Sequence, residues 1–293
     1  MTSWTETRRV EIRGLPYAVR LERGPGSPRA TAVLIHGFAG SSEDWTDTAE
    51  VLVEAGFGVA AIDLPGHGAT ALPIDAGRYA LAETGADLAA VARTIDLERP
   101  HWVGYSLGGR VALHVGLDHP ECVASLVLES TSPGIAAAAD RRRRREEDGA
   151  LAAEIESRGV AWFADHWGSI PLFETQRRLP REVLEAQRTR RLRNRPEGLA
   201  GSLRGAGQGT QDYAAGRLQA LGTPTLLMAG ALDTKYTNLA EQLAASIPGA
   251  ETCIVPDAGH NIHLERPQAF RRALIDRLHR VESARSTPAS LSA

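Results

Sequence analysis

The feature that most restricts this chain is a repeat of short apolar runs separated by helical patterns. The runs lie at 32–35, 59–62, 101–103, 126–128, 225–228 and 252–255. Each has the length of a strand, and none alternates cleanly between apolar and polar residues. Strands of a parallel sheet covered on both faces read this way. Helical patterns at 42–55, 79–95, 107–118, 239–247 and 267–281 separate most of them. Strand, helix, strand, helix predicts the α/β class, an open, mostly parallel, doubly wound sheet. Ahead of it, Val10 and Ile12, then Tyr17, Val19 and Leu21, form two short alternating runs around Gly14-Leu15-Pro16. That pattern predicts an antiparallel hairpin at the sheet edge.

The alternation stops between 134 and 222, where arginine, glutamate and alanine dominate. Helices are expected at 140–157, 160–167, 181–192 and 198–204, with no convincing strand. The chain therefore divides into a core, 1–133 and 223–282, and a helical insertion, 134–222. Set above the carboxyl ends of the strands, such an insertion lies as a lid over any site there. The segment 283–293 is small and polar, and is expected to be disordered. The 293 residues fit one large α/β domain and are enough to bury a sizeable core.

Composition narrows the partners. Lysine plus arginine totals 33, and Lys235 is the only lysine, so arginine is 33 − 1 = 32. Against 36 acidic residues this leaves a net charge of −3. That balance argues against a basic nucleic-acid binder and against a polybasic membrane-surface protein. The bulk of the arginines reads as GC-rich codon usage. Cys122 and Cys253 are too few for a disulfide framework and point to a reducing compartment. The N-terminus has no apolar stretch of secretory type, and no apolar run reaches about 18 residues. The expectation is a cytoplasmic protein, monomer or small homo-oligomer, without nucleic-acid or membrane partners.

The chemistry starts at Gly104-Tyr105-Ser106-Leu107-Gly108, a G-x-S-x-G between a strand ending at Val103 and a helix beginning at Leu107. This is the setting of a nucleophile elbow. The turn is tight, so the neighbours of the serine must be small. It presents the hydroxyl at the sheet's carboxyl edge, at a helix N-terminus that favours negative charge. A serine nucleophile needs a base, and the base an orienting acid. Asp233 follows the run 225–228 and His260 follows 252–255, so both reach the same edge in the order Ser, Asp, His. Asp257 is a rival acid, though three residues before His260 it suits shaping that loop. His263, on the same turn, is a rival base. Asp63 to Gly68 reads as a structural turn.

From about 32 to 278 the chain resembles the α/β-hydrolase superfamily. In that fold His36-Gly37-Phe38, directly after a strand, carries an oxyanion-hole amide. The resemblance implies the N–H groups of Phe38 and Leu107. Within the superfamily the chain is similar to the branch of 2-succinyl-6-hydroxy-2,4-cyclohexadiene-1-carboxylate synthases. The matching segments are Gly104 to Arg110, Glu129 to Gly134, Asp148-Gly149-Ala150, and Trp167 followed by Pro171-Leu172-Phe173. Gly198 to Gly205, Gly230 to Lys235 and Ala258 to Asn261 complete them.

The resemblance implies a lyase of menaquinone biosynthesis. Such an enzyme eliminates pyruvate from 2-succinyl-5-enolpyruvyl-6-hydroxy-3-cyclohexene-1-carboxylate, with Ser106, activated by His260 and Asp233, abstracting a proton. It implies substrate-binding arginines at Arg144, four residues before Asp148, and Arg191, three before Asn194, with Arg204 a further candidate. Tyr105 and Trp167 match pocket-wall residues. Lys235, two residues after Asp233, falls at the mouth of the same site.

Arg110 can be read from spacing alone. It lies one helical turn after Ser106 and faces the same cavity. A cation there suits an anionic substrate, and a planar guanidinium suits carboxylates. The alternative is a salt bridge to a lid carboxylate. The expected partner is a small polycarboxylate. Metal-ligand spacing and nucleotide-binding glycine patterns are absent, so no cofactor is expected. A serine esterase or C–C bond hydrolase remains open, as does a non-catalytic ligand-binding member of the fold.

Overall fold

A computed structural model describes residues 4–24 and 30–286. The apolar runs become one eight-stranded sheet in the order β1-β2-β4-β3-β5-β6-β7-β8. The strands are β1 (Glu6–Ile12), β2 (Leu15–Glu22), β3 (Thr31–Ile35), β4 (Gly58–Ile62), β5 (His101–Tyr105), β6 (Ser125–Glu129), β7 (Thr225–Gly230) and β8 (Glu251–Val255). From β3 to β8 all pairings are parallel, and only the β1–β2 hairpin and its junction with β4 are antiparallel.

Coverage on both faces explains the missing alternation. Val33 and Ile35 of β3 pack in one cluster with Leu88 of α2 (Leu81–Thr94) and Val111 of α3 (Leu107–Asp118). Ala32 and Leu34 pack in another with Leu52 of α1 (Thr46–Glu54). Alternate side chains thus enter opposite cores, and both must be apolar.

The hairpin turn falls one residue earlier than expected. Arg13 and Gly14 take φ of 49° and 77°, the two-residue turn that matches strand twist. Leu15 and Pro16 already pair with Ile12 and Glu11.

Between β6 and β7 the chain leaves the sheet and forms helices. These are α4 (Ala138–Ser169), α5 (Arg181–Leu192) and α6 (Pro196–Ala206). Gly159, at φ 80°, breaks α4 where two separate helices were expected. A 3-10 segment, Pro171–Arg178, links α4 to α5. The inserted helices share a small core of Ala152, Ile155, Phe163, Leu199 and Leu203, which also takes in Ala39 from the loop after β3. After β7 come α7 (Thr234–Ser246), a single turn α8 (Ile262–Glu265) and α9 (Pro267–Ser286).

The expectation of disorder from 283 is corrected for its first residues, because α9 continues to Ser286. In its last turn Glu282 pairs with Arg285 at 2.5 Å. Residues 287–293 lie outside the described residues. No described helix is long and apolar enough to cross a membrane.

The insertion seats itself on the core through backbone contact at Gly198. A Cβ there would meet the Gly66 carbonyl oxygen at 2.1 Å. Gly198→Ala is therefore expected to cost about 1–3 kcal/mol of stability, the usual cost of overpacking. It should also speed proteolysis within 138–206. Urea unfolding and limited trypsin digestion would measure both, and a variant as stable and resistant as the parent would refute this view of the docking.

Candidate active site

Strand β5 ends at Tyr105, and α3 starts at Leu107, so the single residue between must reverse the chain. Ser106 does so at φ 52° and ψ −106°, a conformation that costs a non-glycine residue about 1–3 kcal/mol. Its neighbours have no room for side chains. A Cβ on Gly104 would come 2.3 Å from the Gly108 carbonyl, and one on Gly108 would come 2.2 Å from the Ile35 carbonyl.

The Ser106 hydroxyl lies 3.2 Å from His260 Nε2, and His260 Nδ1 lies 2.8 Å from Asp233 Oδ2. The carboxylate fixes the proton on Nδ1, which leaves Nε2 to accept from the serine. Asp233 also caps α7, where its Oδ1 accepts the Tyr236 N–H at 3.2 Å. The helix N-terminus favours its negative charge. His260 is 1% exposed and walled by the rings of Tyr236, Tyr105 and Phe173.

The rival residues go elsewhere. Asp257 occupies an exposed turn at φ 54°. His263 is buried and directs Nδ1 to Glu129 Oε2 at 2.7 Å.

Ser106 opens into a cavity of about 330 Å³. Phe38 and Leu107 line it beside the serine. Leu107 is the first residue of α3, where no intrahelical acceptor is available to its N–H.

Three cations line the same cavity: Arg110, Arg144 and Lys235. Arg110 is 7% exposed, and among the described residues it makes no salt bridge to the lid. Its Nη1 donates to the Ala206 carbonyl at 2.8 Å and to Gln211 Oε1 at 3.1 Å. Burial pulls its pKa down to about 10, so the group stays charged at neutral pH. The lid carboxylate available to Arg110 is bound by Arg144 instead, with Nε 2.8 Å from Asp148 Oδ1. Lys235 is exposed at the cavity mouth, and partial desolvation, then the nearby Arg144, lowers its pKa while Asp233 opposes them. Arg204, by contrast, is at the surface and bonded to Glu156.

Trp167 and Phe38 meet edge to face with ring centres 5.2 Å apart. They form a partition, lining both this cavity and a second one of about 230 Å³. Arg191 and Tyr105 lie in the second cavity. The structure therefore brings Ser106, Asp233, His260, Phe38, Leu107, Arg110, Arg144, Lys235 and Trp167 together, and leaves Arg191 and Tyr105 on the far side of one wall. Arg191 is 7% exposed, and its guanidinium faces the Phe173 ring at 5.7 Å. No carboxylate lies within ion-pair distance of it among the described residues.

The sequence does not single out the tie that joins Ser106 to the His260 loop. It is Glu129-Ser130 at the end of β6. The Glu129 carbonyl accepts the Ser106 N–H at 2.8 Å, and the Ser130 hydroxyl donates to the His260 carbonyl at 2.8 Å. The Glu129 carboxylate, fully buried, also accepts the N–H groups of Ile262 and His263 at 2.6 and 3.1 Å. The available signal was a carboxylate closing an apolar strand. Tyr236, whose hydroxyl accepts from Gln208 at 2.8 Å, carried no such signal.

The Glu129 tie makes a measurable claim. Glu129→Ala leaves His263 and two buried N–H groups without an acceptor, and is expected to cost about 3–5 kcal/mol in urea unfolding. Glu129→Gln keeps an acceptor for the N–H pair and should lose less. Equal losses for the two variants would count against this role.

Comparison with known proteins agrees with the geometry. A family profile described as alpha/beta hydrolase fold matches residues 32–267. A Bacillus subtilis (strain 168) protein that bears the provisional name 2-succinyl-6-hydroxy-2,4-cyclohexadiene-1-carboxylate synthase is 37% identical over 88% of this chain and 92% of its own. A Serratia proteamaculans (strain 568) protein named as that synthase is 32% identical over 84% of this chain and 92% of its own. Among solved structures, MenH from S. aureus superposes with a TM-score of 0.86 at 30% identity, covering 90% of this chain and 98% of that one.

Proposed function

The chain belongs to the α/β-hydrolase fold family and, within it, to the branch of 2-succinyl-6-hydroxy-2,4-cyclohexadiene-1-carboxylate synthases, and on that footing we propose how its residues carry out the reaction. It is a lyase that eliminates pyruvate from 2-succinyl-5-enolpyruvyl-6-hydroxy-3-cyclohexene-1-carboxylate. The observation that carries the residue assignment is a Ser106–His260–Asp233 relay opening into a cavity lined by three cations.

His260, held by Asp233, draws the proton from Ser106. The activated oxygen removes a ring proton. The C–H electrons form the new ring double bond, and the C–O bond to the enolpyruvyl group breaks. Enolpyruvate leaves as its enolate, takes up the proton held on His260, and becomes pyruvate. Negative charge that develops on the substrate faces fixed cations and the N–H groups of Phe38 and Leu107, in a setting where preorganised donors act most strongly.

The substrate's name implies carboxylates on the ring, the succinyl arm and the enolpyruvyl arm. Arg110, Arg144 and Lys235 answer them in the triad cavity. Arg191 completes the set only if the Phe38–Trp167 partition opens during turnover. A buried guanidinium without an ion pair is costly, so an anionic ligand is the partner that accounts for it. Tyr105 and Trp167 wall the two cavities. The relay needs no metal or nucleotide. We place the reaction in the cytoplasm, in keeping with two unpaired cysteines, Cys122 and Cys253.

The test offers the enolpyruvyl substrate and p-nitrophenyl acetate in parallel. Rapid pyruvate release with slow ester turnover is expected, and fast ester turnover without pyruvate would make the protein a hydrolase. Arg110→Ala, Arg144→Ala and Arg191→Ala should each lower kcat/KM by about 2–5 kcal/mol equivalent, because each strands a buried carboxylate. A near-normal Arg191→Ala would mean that the partition stays shut and Arg191 never meets substrate. Ser106→Ala should stop release, which a protein that only binds the ligand would not show.

A further inference from the structure

We infer that Asn194, in the lid, is a positioning residue for the oxyanion loop, so that docking of the lid and alignment of the Phe38 N–H are one event. The inference rests on the function proposed above for its kinetic consequence, and on geometry alone for its structural one.

Asn194 follows α5 and is 5% exposed. Every polar group of its amide is used across the lid–core boundary or at its edge. Nδ2 donates to the Ala39 carbonyl at 2.9 Å and to the Arg191 carbonyl at 3.3 Å. Oδ1 accepts the Gly68 N–H at 3.1 Å. Two carbonyls and one N–H around the amide leave only one orientation that satisfies all three.

The loop that it grips is under strain. Gly40 N–H donates to the Gly37 carbonyl at 3.1 Å, closing a four-residue turn with Phe38 and Ala39 at its centre. Ala39 occupies the third position at φ 63°. That position of such a turn calls for glycine, and an alanine there carries a steric cost. The carbonyl of this strained residue is the one that Asn194 takes. The lid also buries the Ala39 side chain, which is 2% exposed and packs among Phe163 and Leu199. Ala39 is next in sequence to Phe38, so the lid holds in place a turn that would otherwise relax.

The other ties of this segment do not substitute for Asn194. Arg190 pairs with Asp44 at 2.7 Å, Arg193 pairs with Glu43, and Arg195 donates to the Thr70 carbonyl at 3.0 Å, all three through arginines that are partly or fully exposed. Such surface pairs contribute little. Asn194 is the buried, fully bonded link, and it also fixes the carbonyl of Arg191. One amide thus joins the oxyanion turn, the turn at Gly68 and the end of the helix that bears Arg191.

The test compares Asn194→Ala with the double variant Asn194→Ala/Ala39→Gly in steady-state pyruvate release. Misplacing one oxyanion donor should lower kcat about tenfold to a hundredfold, with KM changed less than about threefold. Ala39→Gly removes the steric cost of the left-handed residue, so the double variant should recover at least about a third of the lost kcat. A merely structural role for Asn194 predicts no such rescue. An unchanged kcat, a loss expressed in KM alone, or a double variant no faster than the single one would overturn the inference.

Amide hydrogen exchange provides a readout that needs no substrate. The Gly40 N–H should exchange about tenfold faster in Asn194→Ala than in the parent, because the turn opens more often. Should the parent release no pyruvate, the function reading fails while this exchange result still decides the positioning role. Asn194→Ser carries the same expectations if the alanine variant does not fold.

Discussion

Ser106 holds a φ of 52° at the tip of a parallel strand, and the rest of the site is arranged around that one unfavourable residue. The position is kept because its N–H is tied to Glu129 on the next strand, and because glycines on either side let β3 and α3 approach closely. Glu129 and Ser130 then extend the same hold to the His260 loop. Ser106 and His260 are 154 residues apart in the chain, yet they are registered against a single dipeptide. A parallel sheet makes this economical. All of its strands end at one edge, so loops after β5, β6, β7 and β8 meet there without further chain.

The electrostatics of the site follow from the lid. Without an insertion, Arg110 would be a cation on a solvent-facing helix turn. Under the lid it is nine-tenths buried, and its neutral partners, the Ala206 carbonyl and Gln211, bind its Nη1 without cancelling its charge. A carboxylate in their place would have made a self-contained ion pair with little pull on a ligand. Arg144 shows the contrast, since it carries Asp148 with it. A substrate carboxylate at Arg144 has to share the guanidinium, whereas one at Arg110 or Arg191 does not.

Much of this was legible in the sequence, and the reasons differ by element. The core strands were readable because burial on both faces leaves continuous apolar runs. The elbow and its partners were readable because a strained turn admits few residues, and because chain order is fixed by the fold. Arg110 was readable from helical spacing. The position of Arg191 was not, because which side of an aromatic partition a side chain takes depends on the packing of Trp167 against Phe38, and that packing has no local signature. Glu129 was missed for a similar reason. Its partners, Ile262 and His263, lie more than 130 residues away, and nothing near it announces them. The end of α9 differs from the reading because small, polar residues after 282 have the composition of a tail, while the helix continues to Ser286 with Glu282 paired to Arg285 one turn on.

A Ser–His–Asp relay does not by itself choose between attacking a carbonyl and removing a proton. The same hydroxyl, given the same base, does whichever its geometry allows. What decides is where the substrate is pinned relative to the Ser106 oxygen. In an esterase the acyl carbonyl must sit against the oxyanion amides, within reach of the nucleophile. In the proposed reaction the carboxylates are the anchoring points, and cations on the elbow helix, the lid and the start of α7 hold them from different sides. The proposed reaction requires that a ring so held present a C–H bond, not a carbonyl, to the serine. On this reading the departure from hydrolysis lies outside the relay altogether, in a few charges gathered around the serine cavity, and the scaffold needed no new catalytic group to make it.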